Sequence, residues 1–252
     1  FVLSSLQNAL TISHLNVLTP GRGDAPHRLE TERIMHAATV LFLVLVGAVT
    51  LAITIGADGT SEFHTPAAAL FLPAYLFQQY IRALAFSRGD AKGAAIQTGL
   101  VLILAAVLLS LAVAGHIPLN ADGIMFLMAT AYGVVGIGSA IRMCLSQMAG
   151  RPWPRLQDYL PFSRQSSWVF MGVTSAELLA RLYTFVVAGM FGPAPLAALA
   201  ATQLFMRPIP LVAQGWSMGG RVELLTKRGN GDWKGFMRWV WIALGGGAVV
   251  IL

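Results

Sequence analysis

Charged residues are scarce in this sequence: Asp, Glu, Lys and Arg make up 11% of the 252 residues, and hydrophobic residues make up 56%. This balance argues strongly against a soluble domain. The single cysteine, Cys144, excludes an internal disulfide.

The chain has no Asp-x-Asp pair, His-Glu-x-x-His motif or phosphate loop, and its five histidines are scattered, so we predict no enzyme, no metal and no cofactor. Gly136-x-Gly138 lies in an apolar segment and predicts close helix packing.

Apolar segments recur along the whole chain, and the mean hydropathy is +0.67. A helix that crosses a hydrocarbon core of about 30 Å needs about 20 residues. Six stretches meet this length: 34–55, 66–87, 93–115, 124–147, 165–191 and 195–217. Partial spans lie at the two ends of the sequence, at 1–17 and 237–252. The sequence predicts an all-α polytopic membrane protein with six full and two partial transmembrane helices. Because it begins with Phe1 and stops inside an apolar run, we expect a fragment of a longer protein.

The basic residues alternate between successive connections. The second, fourth and sixth connections hold no Lys or Arg, whereas the odd-numbered ones hold Arg22, Arg28 and Arg33, then Arg88 and Lys92, then Arg151, Arg155 and Arg164, then Arg221, Lys227, Arg228 and Lys234. This alternation follows the positive-inside rule and predicts that the odd-numbered connections are cytoplasmic. The net charge of +6 therefore indicates membrane topology and not a nucleic-acid partner.

A short Gly-Asp motif recurs in the predicted cytoplasmic connections. It occurs as Gly89-Asp90-x-Lys92-Gly93 and Gly231-Asp232-x-Lys234-Gly235, and Arg22-Gly23-Asp24-Ala25 matches the residues that begin at Arg88. The local interpretation is that Gly makes the turn and Asp caps the next helix. The alternative is an internal repeat of helix pairs, as in transporters.

Three charged residues, Glu177, Arg181 and Arg207, lie deep inside predicted spans. A charge at the bilayer centre costs roughly 2.5–3.5 kcal/mol, so these side chains should face a protein-lined or hydrated cavity. Glu177 and Arg181 are four residues apart, and a self-satisfied intrahelical ion pair is the structural alternative. Arg207 has no acidic partner on its own helix and precedes Pro208, which should loosen that helix. The net positive charge favours an anionic ligand.

Uncharged polar residues lie on the same helix faces as these charged residues and form polar stripes with them. Thr174 shares a helix face with Glu177 and Arg181, and Gln203 and Gln214 share one with Arg207. The candidate substrate-binding residues are therefore Arg181, Arg207, Glu177, Gln203, Gln214 and Thr174. No catalytic residue is predicted.

Two further stripes could line the same cavity. One is formed by Ser4, Asn8 and Thr11, and the other by Tyr75, Gln78, Gln79 and Arg82. Isolated polar residues in spans also serve as interhelical hydrogen-bonding groups, which is the alternative for both stripes. Arg82 lies close to the cytoplasmic end of its span, where its long side chain can reach the interface.

A longer pattern covers residues 165–236: a helix entering from the cytoplasm, a Gly-Pro outer turn, a return helix with a mid-span proline, and a basic loop. Its residues are Ser167-Trp168, Gly172, Glu177-Leu-Leu-Ala-Arg181, Phe191-Gly192-Pro193, Leu196-Ala-Ala-Leu199, Gln203-Leu-Phe-Met-Arg207-Pro208-Ile209 and Gly231-Asp232. The pattern resembles the O-antigen type polysaccharide flippases of the multidrug/oligosaccharidyl-lipid/polysaccharide exporter superfamily. The resemblance implies a two-lobe fold of twelve or more helices, with 1–147 in the N-terminal lobe, 148–164 as the cytoplasmic connection and 165–252 in the C-terminal lobe.

The resemblance also implies a function. Such flippases move polyprenyl-diphosphate-linked oligosaccharide across the bacterial cytoplasmic membrane by alternating access, for surface polysaccharide and lipopolysaccharide biosynthesis. Arg181 and Arg207 match the cationic cavity positions, and Glu177 would orient or balance them. The implied partners are the anionic lipid-linked oligosaccharide, membrane lipid and polysaccharide-assembly proteins. Arg88, in a cytoplasmic loop, is not expected to matter for export.

Three alternatives stay open. A cation-coupled multidrug exporter of the same superfamily should use acidic residues at depth, where only Glu177 is available. A membrane enzyme acting on polyprenyl phosphates usually needs loop carboxylates that hold a metal or act as a base. A membrane scaffold would not need buried charges at all.

Overall fold

The computed structural model describes residues 2–18, 25–56, 67–115, 120–142, 153–192 and 231–251, with short pieces at 194–195, 201–202, 220, 223–224 and 227. The elements in these stretches are helical, without a β-strand, which confirms the predicted all-α class. They are α1 (Val2–Gln7), a π-helical turn (Asn8–Ile12), α2 (Ser13–Leu18), α3 (Ala25–Gly56), α4 (Ala67–Ser87), α5 (Ala91–Val113), α6 (Ala121–Ala140), a 3-10 turn (Leu156–Tyr159), α7 (Leu160–Phe191) and α8 (Trp233–Ile251).

Three helices in the described stretches are long and apolar enough to cross a membrane: Arg28–Ile55 within α3, Ala91–Val113 and Ala121–Ala140. They coincide with the spans predicted at 34–55, 93–115 and 124–147. Large apolar side chains on them are exposed, such as Leu102 on α5 at 70% and Val134 on α6 at 58%, as expected of surfaces that face lipid. The count of six full spans and the two-lobe fold stay predictions, and the span expected at 195–217 lies almost entirely outside the described residues.

α4 is the central helix of the described part. It packs against α3, α5, α6 and the N-terminal segment formed by α1, the π-helical turn and α2. Leu76, Tyr80, Ile81 and Leu84 of α4 are at most 1% exposed. Because neighbouring helices cover much of its surface, α4 can carry glutamine, tyrosine and arginine side chains that a lipid-facing helix could not. This position explains why α4 is less apolar than α5 and α6.

α4 and α6 approach closely at a glycine. A Cβ atom on Gly136 would lie 3.1 Å from Cδ1 of Phe77 and 3.7 Å from Cα of Gln78, so a larger residue would push the helices apart. A Cβ atom on Gly138 would meet no atom within 4 Å. Close helix packing is therefore confirmed for the first glycine of the Gly136-x-Gly138 pair and does not extend to the second.

The two described copies of the Gly-Asp motif, 89–93 and 231–235, adopt the same turn. The first glycine has φ of +76° in one copy and +71° in the other, a left-handed conformation that favours glycine. In both copies the aspartate Oδ1 accepts a hydrogen bond from the backbone N–H three residues later, at 2.8 Å and 2.9 Å. The expected turn and helix cap are confirmed. The copy beginning at Arg22 lies mostly outside the described residues.

Candidate functional site

A polar face on α4 is the candidate site that the structure describes most fully. Tyr75, Gln79 and Arg82 are separated by four and three residues and share one side of the helix. Arg82 donates a hydrogen bond from Nη2 to Oε1 of Gln79. Tyr132 of α6 packs edge to face against Tyr75, with ring centroids 5.3 Å apart. We call Tyr75, Gln79, Arg82 and Tyr132 the Arg82 face.

The Arg82 face carries a positive charge, and among the described residues no carboxylate forms an ion pair with it. Arg82 is close enough to Tyr75 and Tyr132 to interact with them electrostatically. Ion pairs in the described part of the chain join Glu32 with Arg28 and with Arg88, and Glu223 with Lys227. A guanidinium flanked by hydroxyl and amide groups suits phosphate or carboxylate oxygens.

All four side chains of the Arg82 face are half-buried. Arg82 is five residues before the end of α4 at Ser87, which is about 7.5 Å along the helix axis. Its guanidinium is turned toward Gln79, one turn earlier along α4, and so away from the end of the helix. An arginine that only reached the interface would have little need of such a partner. Helical spacing in the sequence predicts that Tyr75, Gln79 and Arg82 share a face. It does not predict the contribution of Tyr132, because only the packing of α6 against α4 brings that residue beside Tyr75.

The stripe predicted at Ser4, Asn8 and Thr11 does not form one face. Ser4 is half-buried, Asn8 is exposed and Thr11 is fully buried, donating to the Gln7 carbonyl at 2.9 Å. The π-helical turn at Asn8–Ile12 has more residues per turn than an α-helix, so a spacing of three or four no longer keeps side chains aligned. Gln7 instead donates to the Leu76 carbonyl of α4 at 3.0 Å, which is the interhelical hydrogen-bonding alternative.

A second polar cluster joins the N-terminal segment to the start of α7. Nε2 of His14 lies 2.6 Å from Oγ of Ser166, and the Tyr159 hydroxyl donates to the Leu10 carbonyl at 2.6 Å and lies 2.8 Å from the same Oγ. Burial raises the pKa of the Tyr159 phenol, and the hydrogen bond with Ser166 opposes this shift. His14 is 0% and Ser166 2% exposed, so a substrate cannot reach this pair. The hydrogen bond between them therefore stabilises the packing of the N-terminal segment against α7. The two residues are 152 positions apart, and no sequence spacing pointed to their contact.

A third cluster lies at the start of α3. Glu32, whose side chain is 6% exposed, pairs with Nε of Arg28 at 3.2 Å and with Nη2 of Arg88 at 2.6 Å. One turn later, Nδ1 of His36 lies 2.5 Å from the hydroxyl of Tyr80 on α4. This cluster fixes α3 to α4 and to the turn that follows it. Arg88 is thus an internal partner, although its loop position suggested an unimportant surface residue.

The predicted substrate-binding residues divide into two groups. Thr174, Glu177 and Arg181 lie on the continuous helix α7, so their predicted common face is consistent with the backbone, and the Thr174 side chain is exposed. The side chains of Glu177 and Arg181 lie outside what the structure describes, as do Gln203, Arg207 and Gln214 entirely. The Glu177–Arg181 pair and the cationic cavity therefore stay predictions. Across the described stretches, no three His, Cys, Asp or Glu side chains gather into a group that could hold a metal ion.

Comparison of the chain with protein-family models, with curated proteins and with solved structures finds no match.

Proposed function

We propose that the protein is a flippase that moves a lipid-linked anionic oligosaccharide, carried on polyprenyl diphosphate, across the bacterial cytoplasmic membrane by alternating access. The observation that carries the proposal is the Arg82 face. Arg82 sits on the central helix of a group that includes three helices apolar enough to span a membrane, and its described side-chain partner is a neutral amide. An intramembrane cation of this kind is expensive to keep unless it serves a polar pathway.

The chemistry of the Arg82 face suits a sugar-diphosphate headgroup. The guanidinium offers a planar set of N–H donors to diphosphate or acidic sugar oxygens. Gln79 adds donors and an acceptor for sugar hydroxyls, and the two tyrosines present both apolar rings and hydroxyl groups. The predicted cations Arg181 and Arg207 would supply the opposite wall of the cavity, with Glu177, Thr174, Gln203 and Gln214 completing it.

The charge balance favours this function over a cation-coupled drug exporter. An exporter of cationic compounds should present an accessible acidic side chain at depth. Within α3 and α4, acidic side chains occur only near the start of α3: Glu30, and Glu32, whose carboxylate is buried and paired with two arginines. That carboxylate is thus neutralised within the protein. The positive charge of Arg82 fits an anionic substrate.

A complementation assay tests the proposal. Cells that lack their own flippase receive the wild-type gene or a variant, and surface polysaccharide is compared at equal membrane levels of the protein. We expect Arg82→Ala, Arg181→Ala and Arg207→Ala each to reduce export severely and Arg82→Lys to retain part of it.

Arg164→Ala is the matched control. Arg164 is exposed near the start of α7, within the predicted cytoplasmic connection, whereas Arg88 is unsuitable because it pairs with the buried Glu32. Full export by all three alanine variants, or an equal loss in Arg164→Ala, would contradict the proposal.

A further inference from the structure

An apolar groove of about 430 Å³ lies between α3, the π-helical turn and the segment that precedes α7. One face of α3 forms its long wall: Ile34, Ala37, Ala38, Leu41, Phe42 and Leu45. Leu10, Trp153, Pro154 and Tyr159 complete the lining, with Arg155 at one end. Leu41 and Leu45 are 53% and 59% exposed, so the groove is open along its side. Its volume falls within the range of about 300–1,000 Å³ that is usual for ligand sites.

A polar hollow of about 370 Å³ adjoins the groove and shares Ile34, Trp153, Pro154 and Arg155 with it. Its other lining residues are Glu30, Arg33 and Asp158. The hollow thus contains two arginines and two carboxylates, and Oδ2 of Asp158 accepts a hydrogen bond from the backbone N–H of Arg155 at 2.8 Å. Equal numbers of positive and negative groups suit a ligand that carries both charges.

The dimensions of the groove match one leaflet of a bilayer. From Ile34 to Leu45 the α3 wall advances eleven residues, about 16 Å at 1.5 Å per residue. One leaflet contributes about 15 Å of hydrocarbon. The hollow lies at the arginine-rich start of α3, and Trp153 beside it is 61% exposed, as is typical of the membrane–water interface. The apolar wall runs from there into the predicted span.

We propose that the groove and the hollow together bind one phospholipid of the cytoplasmic leaflet, with a phosphate headgroup that carries a primary amine. One acyl chain lies along α3 over Ala37 and Ala38. The phosphate contacts Arg155 and Arg33, and the ammonium group contacts Glu30 and Asp158. The lipid joins the segment before α7 to α3. This proposal does not depend on the transported substrate.

Native mass spectrometry of the purified full chain tests the site. Delipidated protein is mixed with equal amounts of phosphatidylethanolamine, phosphatidylglycerol and a polyprenyl phosphate, and the retained lipid is identified. We expect one retained phosphatidylethanolamine, and we expect Ala38→Trp, which fills the groove, to weaken its retention at least about tenfold. Ala52→Trp, an exposed alanine on the same helix outside the groove, should bind as the wild type does.

Two hollow variants test the headgroup contacts independently of how the tryptophan variants fold. Glu30→Gln should reduce the preference for phosphatidylethanolamine over phosphatidylglycerol, and Arg155→Ala should weaken both lipids. Three results would overturn the proposal: equal retention of the two phospholipids by the wild type, preferential retention of the polyprenyl phosphate, or retention by Ala38→Trp equal to that of Ala52→Trp.

Discussion

The carboxylate of Glu32 accepts two hydrogen bonds from Arg88, at 2.6 Å from Nη2 and 3.3 Å from Nε, across 56 residues of sequence. The guanidinium belongs to the turn between α4 and α5, and the carboxylate lies near the start of α3, so the pair fixes the turn against another helix. Their side chains are 16% and 6% exposed. The contact is thus bidentate and shielded from water. Lysine cannot reproduce a bidentate contact, so replacing Arg88 with lysine would lose one of the two hydrogen bonds.

The first prediction concerns this pair. Arg88→Ala should lower the free energy of unfolding by about 3 kcal/mol, the lower end of the range for breaking a buried ion pair, because Arg28 still contacts the stranded carboxylate. Equilibrium unfolding in mixed detergent micelles measures the change. Lys227→Ala removes the exposed pair with Glu223, whose side chains are 29% and 52% exposed, and should cost at most about 1 kcal/mol. Equal effects of the two substitutions would mean that the Glu32 pair is not shielded.

The second prediction concerns the cap of α5. A Cβ atom on Gly93 would lie 2.1 Å from Oδ2 of Asp90, so Gly93→Ala must displace the capping carboxylate. Losing a helix cap usually costs about 1 kcal/mol, which offsets the gain of up to about 1 kcal/mol that alanine brings over glycine in a helix. Gly99→Ala, in the same helix with no atom within 4 Å of the new Cβ, should keep that gain, so we expect it to be about 1 kcal/mol more stable than Gly93→Ala. Urea or detergent titration of both variants measures the difference, and equal stability of the two would show that the cap is not needed.

The third prediction concerns the contact between α4 and α6. Gly136→Leu would force the side chain into Phe77 and the backbone at Gln78, and overpacking of this kind costs about 1–3 kcal/mol. Gly138→Leu, two residues away in open space, is the matched control and should keep the wild-type melting temperature. Thermal unfolding followed by size-exclusion chromatography compares the two. If both variants melt alike, close approach at Gly136 does not set the helix spacing.

Much of the fold follows from the sequence because long apolar runs have few structural outcomes in a membrane. The helices α3, α5 and α6 lie where apolar length predicts them, and the turn at Gly89 and Asp90 follows from local chemistry alone. The start of α7 differs: the helix begins at Leu160, after a 3-10 turn, earlier than the apolar stretch at 165–191 suggests. Polar residues there turn out to be partners of the N-terminal segment, which hydropathy cannot anticipate.

The candidate site was less accessible to sequence reasoning. A helical spacing rule can align Tyr75, Gln79 and Arg82 because they lie on one regular helix. The same rule fails at Asn8 and Thr11, where the π-helical turn shifts the register. Contacts between distant helices, such as Tyr75 with Tyr132, depend on how the helices pack and leave no periodic signal in the chain.

The fourth prediction concerns the aromatic part of the Arg82 face. Tyr132→Phe keeps the ring whose centroid lies 5.3 Å from that of Tyr75 and removes only the hydroxyl, which interacts electrostatically with Arg82. If that hydroxyl binds the substrate, export should fall while stability stays within about 1 kcal/mol, the usual worth of a single neutral hydrogen bond. Tyr159→Phe is the control: it removes a hydroxyl that bonds to Leu10 and Ser166, so it should lower stability more than export. The reverse outcome would assign Tyr132 a packing role.

Transport in proteoliposomes shows directly whether the protein moves a lipid-linked oligosaccharide and whether Arg82 takes part. The purified protein is reconstituted, and the transfer of a fluorescent polyprenyl-diphosphate oligosaccharide between leaflets is timed for the wild type, Arg82→Ala, Arg82→Lys and Arg164→Ala. We expect the wild type and Arg164→Ala to transfer the lipid at the same rate. Arg82→Ala should transfer the lipid about ten- to a hundredfold more slowly, as expected for the loss of a charge-assisted contact of about 1.5–3 kcal/mol. The rate of Arg82→Lys should lie between those of the wild type and Arg82→Ala. Wild-type transfer by Arg82→Ala, or a rate for the wild type no higher than in protein-free liposomes, would contradict the proposed function.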